Sequence, residues 1–210
     1  MKILKPKKIY FEKLENEKLN SIQECQNLEN CIFKDEECNN IRLYEAIFEK
    51  SEFNNICMQY AKLEKTTFID VIFKNCNFSN TNFAENTFIR CEFNNCKVSG
   101  CDFSDSRLYN VSFIETNANY INLSMASIEN ILFKNTNIRN SYFQETKLKN
   151  LLFENVDLTQ AQFFKTSLKG IDLSDCKIEG IAISLDDIKG AIVEQFQAVD
   201  LLYLLGVKIK

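Results

Sequence analysis

From Leu28 to Ile183 a large apolar residue falls on every fifth position without a slip: Phe33, Leu43, Phe48, Phe53 and so on through Phe103, Leu108, Phe113 to Leu173 and Ile178. Of the 32 positions in this register, 28 carry Phe, Leu or Ile, and 15 of the 18 phenylalanines of the chain lie on them, so coincidence is no explanation. A helix repeats its buried face every 3.6 residues and a strand every two. A sustained period of five fits neither, and requires a chain that turns a corner every five residues while returning one large side chain to a common axis.

Two further columns support that geometry. Two residues before the centres stand small or β-branched residues, among them Ala61, Thr66, Val71, Cys76, Thr81, Cys91, Cys96, Cys101, Ser106 and Val111, which gives a second, smaller inward position. Two residues after the centres asparagine recurs, as at Asn75, Asn80, Asn95, Asn110, Asn130, Asn135 and Asn140. Asparagine tolerates the left-handed backbone that tight corners need.

"CDFSD", "TNFAE", "CNFSN" and "VDLTQ" resemble the motif of pentapeptide-repeat proteins. The resemblance covers residues 28–183. It implies an all-β solenoid, a right-handed quadrilateral parallel β-helix in which four pentapeptides make one coil. Thirty-two pentapeptides then give about eight coils, and a strand spacing of about 4.8 Å makes a rod roughly 40 Å long.

The remaining composition narrows the function. Histidine is absent, which removes the commonest general base and most zinc sites, and no glycine-rich phosphate loop or metal-spaced cluster occurs. A noncatalytic protein without cofactor or metal is expected. The nine cysteines are odd in number and lack a C-x-x-C pair, and Cys31, Cys76, Cys91, Cys96, Cys101 and Cys176 occupy the small inward position, so buried thiols are expected rather than disulfides. A net charge of −4 argues against direct DNA binding through phosphate neutralisation. No apolar run approaches a membrane span and no signal-peptide core follows the first lysines, so the expected location is the cytoplasm.

The ends lack the register. Residues 1–27, with Lys2, Lys5, Lys7 and Lys8 around Pro6, are expected to cap the open N-terminal edge of the solenoid. Residues 184–210 begin with a capping-box-like Ser184 and Asp187 and continue into "EQFQAVDLLYLLG", a helix expected to end near Gly206. Phe196, Val199, Leu202 and Tyr203 share one helical stripe, and Ala198, Leu201 and Leu205 widen it beyond what a narrow rod end can cover. The surplus points to a homodimer through this C-terminal module.

"SLKGIDLSDCKIEGI" followed by that helix is similar to the C-terminal portion of the Qnr and MfpA-like quinolone-resistance proteins. That resemblance implies a rod-shaped dimer that binds DNA gyrase and topoisomerase IV and protects them from fluoroquinolones, in part by imitating DNA. The register here runs without an insertion, so the projecting loops of several such proteins are missing. Two surfaces are candidates for the partner. The face centred on Leu43, Leu63, Phe83, Phe103, Leu123 and Phe143 carries Glu85, Asp102, Asp105 and Glu145, with no Lys or Arg between residues 81 and 145 on that face. An apolar column, Ile69, Ile89 and Tyr109, runs along another. A scaffolding protein whose partner is unrelated to DNA topology is the alternative, because a fold does not fix a function.

Overall fold

The computed structural model describes residues 3–7, 15–22 and 24–207. Within them the chain winds into a four-sided parallel solenoid of about eight turns, and from Asn27 on its paired residues lie twenty positions apart. Face A is centred on Phe48, Phe68, Phe88 and Leu108, face B on Phe53, Phe73, Phe93 and Phe113, face C on Met58, Phe78, Val98 and Ala118, and face D on Leu63, Phe83, Phe103 and Leu123. All of these centres are buried. The rings stack coil upon coil, with centroids 4.4 Å apart for Phe73 and Phe93 and 4.8 Å for Phe83 and Phe103.

Every fifth residue from Cys25 to Gly170 has a left-handed backbone, with φ between 48° and 77°. Asparagine and aspartate take this conformation cheaply, but Tyr60, Lys65, Arg90, Tyr120 and Met125 adopt it as well. Closure of the square therefore overrides local preference.

The four faces are not equivalent. Faces A and B are extended: Thr87–Asn94, Arg107–Ile114, Ser127–Lys134 and Lys147–Glu154 each cover both faces and pair in parallel, one to the next. Along the middle of faces C and D only isolated bridges form, such as Asn77 with Lys97 and Asn82 with Asp102. The cause is an Asn or Asp just before the centre, whose side-chain oxygen accepts the N–H two residues on. Asn77 does so for Ser79, Asn82 for Ala84, Asp102 for Ser104 and Asn122 for Ser124. This local turn replaces the extended strand.

All nine cysteines are free, and the six at the small inward position are buried. There several thiols and hydroxyls donate to the carbonyl of a centre residue in the preceding coil: Cys101 to Phe78 at 2.9 Å, Thr116 to Phe93 at 3.3 Å and Thr136 to Phe113 at 3.0 Å. Asn86 does the same with its amide to Leu63 and accepts the Thr66 N–H, so a fully polar side chain sits in the core satisfied. Ala118 is buried while its neighbour Tyr120 is 57% exposed, so the tyrosine does not fill the space beside it. The inward residue of the next pentapeptide is the larger Ile121, also buried.

Both ends depart from expectation. Glu36, which interrupts the small column, ties the first coil to the segment before it: its Oε2 accepts the Leu19 N–H at 3.1 Å, and Leu19 is buried in the core. Residues 15–22 thus close the N-terminal edge, with Glu15–Asn16 pairing in parallel with Cys31–Ile32. Residues 3–7 do not join this cap. They lie against the outside of the rod, at the corner between faces A and B, where the Leu4 N–H donates to Asn110 Oδ1 at 3.0 Å and the Lys7 N–H to Asp70 Oδ1 at 2.8 Å. Of the basic run, Lys2 and Lys8 lie outside the described residues. At the other end the coil pattern continues past Ile183. Ile188 and Val193 keep the register and pack on the core, with Leu173 N–H donating to Ile192 and a bridge between Asp172 and Ile192.

Candidate partner-binding surfaces

On face D the four acidic candidates separate into two kinds. Asp102 Oδ1 accepts from the Ser104 N–H and from Asn122 Nδ2 at 2.9 Å, so part of its capacity is spent within the rod. Glu145 is paired with Lys165 of the next coil at 2.8 Å, and hydrogen bonding to that ammonium lowers its pKa. Glu85 and Asp105 are successive residues of one corner, a coil apart, and neither has an ion-pair partner among the described residues. They line one shallow depression with Thr66, Thr87, Lys65 and Arg107. Lys65 itself is engaged by Glu45 at 3.1 Å and by the Tyr44 hydroxyl at 3.0 Å.

The apolar column on face A is in register. Ile69 pairs with Ile89 and Ile89 with Tyr109 across adjacent coils. Tyr109 is the exposed member, and the two isoleucines are half-buried. Side chains so aligned pack on one another as cross-strand pairs do, and their outer edges remain available.

At the C-terminal end a five-residue helix, Gln197–Leu201, runs into a 3-10 turn, Leu202–Leu205, and stops at Gly206, whose φ of 70° is the left-handed cap expected there. The helix seats on the rod by a polar residue. Gln197 is 1% exposed, its Nε2 donates to the Leu173 and Cys176 carbonyls at 2.8 and 2.6 Å, and its Oε1 accepts the Glu194 N–H. Leu201 and Leu204 follow it on the same side and pack against the core. Of the expected interface residues, Leu201 therefore faces inward and Leu202 is half-buried, whereas Phe196 (70% exposed), Val199, Tyr203 and Leu205 are exposed, Phe196 beside Cys176 and Lys177 of the rod. Leu185, Ile192 and Val207 are exposed in the same terminal region.

A family model described as a pentapeptide repeat region matches residues 66–143 and 86–163. Residues 66–163 match the pentapeptide-repeat family. Among solved structures, a trypsin-treated variant of QnrB1, a plasmid-mediated fluoroquinolone resistance protein, is 17% identical, with 89% of this chain and 92% of that one covered and a TM-score of 0.41. Full-length QnrB1 is 18% identical over 87% of this chain and 99% of its own, with a TM-score of 0.32. HetL, a pentapeptide repeat protein involved in heterocyst differentiation regulation from the cyanobacterium Nostoc sp. strain PCC 7120, is 11% identical over 80% of this chain and 87% of its own, with a TM-score of 0.30. No curated protein sequence matches the chain.

In this pentapeptide-repeat rod the inward columns were readable from the sequence, and the contacts of Asp70, Asn110 and Gln197 were not. Asp70 stands at a corner position where Asn is common, and it is buried beneath the Arg90 guanidinium and residues 3–7. No helix among the described residues is long and apolar enough to cross a membrane.

Proposed function

We propose that this chain is a noncatalytic, Qnr-like protein that dimerises through its C-terminal module, binds DNA gyrase and topoisomerase IV, and protects them from fluoroquinolones. The observation that carries the reading is the C-terminal end, where Phe196, Val199, Tyr203 and Leu205 are all exposed beyond a helix already seated on the rod. Exposed apolar groups gathered at one end suit a two-fold contact, which would set two rods end to end. Along such a double rod, Glu85 and Asp105 offer carboxylates to a basic DNA-binding surface in place of phosphates.

The test is gyrase supercoiling in the presence of ciprofloxacin. Added protein is expected to restore supercoiling, and Glu85→Lys with Asp105→Lys to abolish the rescue and weaken the salt dependence of binding. No rescue by the unsubstituted protein at saturating concentration would remove the reading. The pairing of Glu145 with Lys165 favours a second one, in which a scaffolding rod meets a partner unrelated to DNA along Ile69, Ile89 and Tyr109.

A further inference from the structure

Corner residues of this rod normally bond to one another. Asn95 donates to Asn75, Asn150 to Asn130, Asn155 to Asn135 and Asn55 to Asp35, each across one coil. Between Asp70 and Asn110 the corner of faces A and B breaks this ladder. Arg90 holds the Asp70 carboxylate through two nitrogens, at 2.6 and 2.7 Å. The free acceptor capacity of Asp70 and Asn110 goes instead to two backbone N–H groups of the segment 3–7.

The match is metric. Asp70 and Asn110 are two coils apart, about 9.6 Å at the spacing of parallel strands. The two N–H groups that meet them are three residues apart, about 10 Å along an extended chain. The corner therefore reads an extended backbone, and the Asp70 carboxylate favours a cation at the place of Lys7. Asn110 Nδ2 is buried and has no acceptor among the described residues, which leaves one more donor for a ligand carbonyl. The charge of Lys7 lies close enough to help hold Asp70 ionised, and the column Ile69, Ile89 and Tyr109 runs one residue away from the corner.

The segment contributes little to the solenoid itself. Ile3 and Pro6 are half-buried and Leu4 is 46% exposed, so none of the three completes the core. Among the described residues two hydrogen bonds hold it, and segments held by so few contacts open without global unfolding.

We propose that the corner from Asp70 to Asn110 is a binding site for an extended, lysine-bearing segment of a partner protein, and that residues 3–7 occupy it in the free chain as a tethered competitor. A tethered segment acts at an effective concentration in the millimolar range, so the site is masked until a better ligand or a captured strap exposes it. The assignment holds whichever macromolecule the rest of the rod meets.

Proline lacks the N–H that each contact uses. The full chain carrying Leu4→Pro and Lys7→Pro keeps the corner intact and releases the strap. The probe is a peptide of residues 1–7 with a fluorophore at its C-terminus, followed by polarisation. The doubly substituted chain is expected to bind it at least tenfold more tightly than the unsubstituted chain, and a further Asn110→Ala to remove that binding. Equal binding by the two chains, or none by the substituted one with native circular dichroism, overturns the proposal. Hydrogen exchange of the unsubstituted chain is the second arm and decides the matter even if the double variant does not fold. Leu4 and Lys7 amides are expected to exchange at least a hundredfold faster than that of Phe88, and protection equal to that of Phe88 makes the strap a fixed part of the fold.

Discussion

The Gln197 side chain donates to the Cys176 carbonyl at 2.6 Å, and a carboxamide rather than a leucine fixes where the C-terminal helix sits. Gln197→Ala leaves the Leu173 and Cys176 carbonyls and the Glu194 N–H without their partner. A loss of about 2–3 kcal/mol is expected, from the cost of unsatisfied buried groups. Chemical denaturation measures it, and Phe196→Ala, which removes an exposed ring, should change monomer stability by less than about 0.5 kcal/mol.

The outward stripe of the same helix is the place to test assembly. Tyr203→Asp puts a carboxylate into the proposed two-fold contact twice, with no cation to meet it. Light scattering should report a monomer and circular dichroism an unchanged solenoid. A dimer that persists with native circular dichroism moves the contact elsewhere.

Phe103→Ala should cost about 3–5 kcal/mol, because its ring is fully buried and stacks on Phe83 at 4.8 Å in a core that cannot close around the gap. Ser104→Ala, one residue outward, should have little effect. Thermal unfolding of the two variants separates these outcomes, and equal shifts would contradict the inside and outside assignment.

The thiols should divide by position. Burial pushes Cys91 up to about 12 and also raises Cys101, so neither is a thiolate at neutral pH. An aromatic disulfide reagent is expected to label at most Cys25 and Cys57 in the native protein, and all nine cysteines after denaturation. Rapid native labelling of Cys96 or Cys101 would show that the coils open.

Acid should weaken the strap. Burial works against the charge on Asp70, but the Arg90 guanidinium and the Lys7 N–H outweigh it and hold the carboxyl below its usual pKa. A folded-state pKa below the unfolded one means that the contribution is complete above the ordinary aspartate value, about 4, and is lost as the pH falls through the depressed value. The Lys7 amide should therefore lose protection only as the pH falls through that depressed value, where Asp70 takes up its proton. Asp70→Asn should be less stable at neutral pH, since Arg90 loses its counterion, and its stability should fall less steeply with acid than that of the unsubstituted chain.

The interior was legible because one period specifies it: each residue on the register returns to the same axis, whatever its neighbours do. The difference between faces is legible in the Asn and Asp at 77, 82, 102, 117 and 122, which stand just before the centres where a side-chain oxygen can reach the N–H two residues on. The strap left no periodic trace, since its contacts join residues 63 and 106 positions apart through single hydrogen bonds. Gln197 reads as a polar residue on a solvated side, and only the two carbonyls below it reverse that reading. Ile188 and Val193 stood on the register all along, behind the Ser184 and Asp187 turn that suggested its end.

The pairing of residues twenty places apart along the coils gives the molecule a unit of length. Removing one whole coil, such as residues 106–125, would leave each remaining side chain on its former face and join Asp105 to Ala126 at an equivalent corner. The C-terminal helix would move toward the strap by about 4.8 Å. Removing a single residue would turn every later face out of phase. Distance between the two ends of this rod is thus set in whole steps, and a lineage of such chains could act as a graded set of gauges, differing in reach while keeping every face the same.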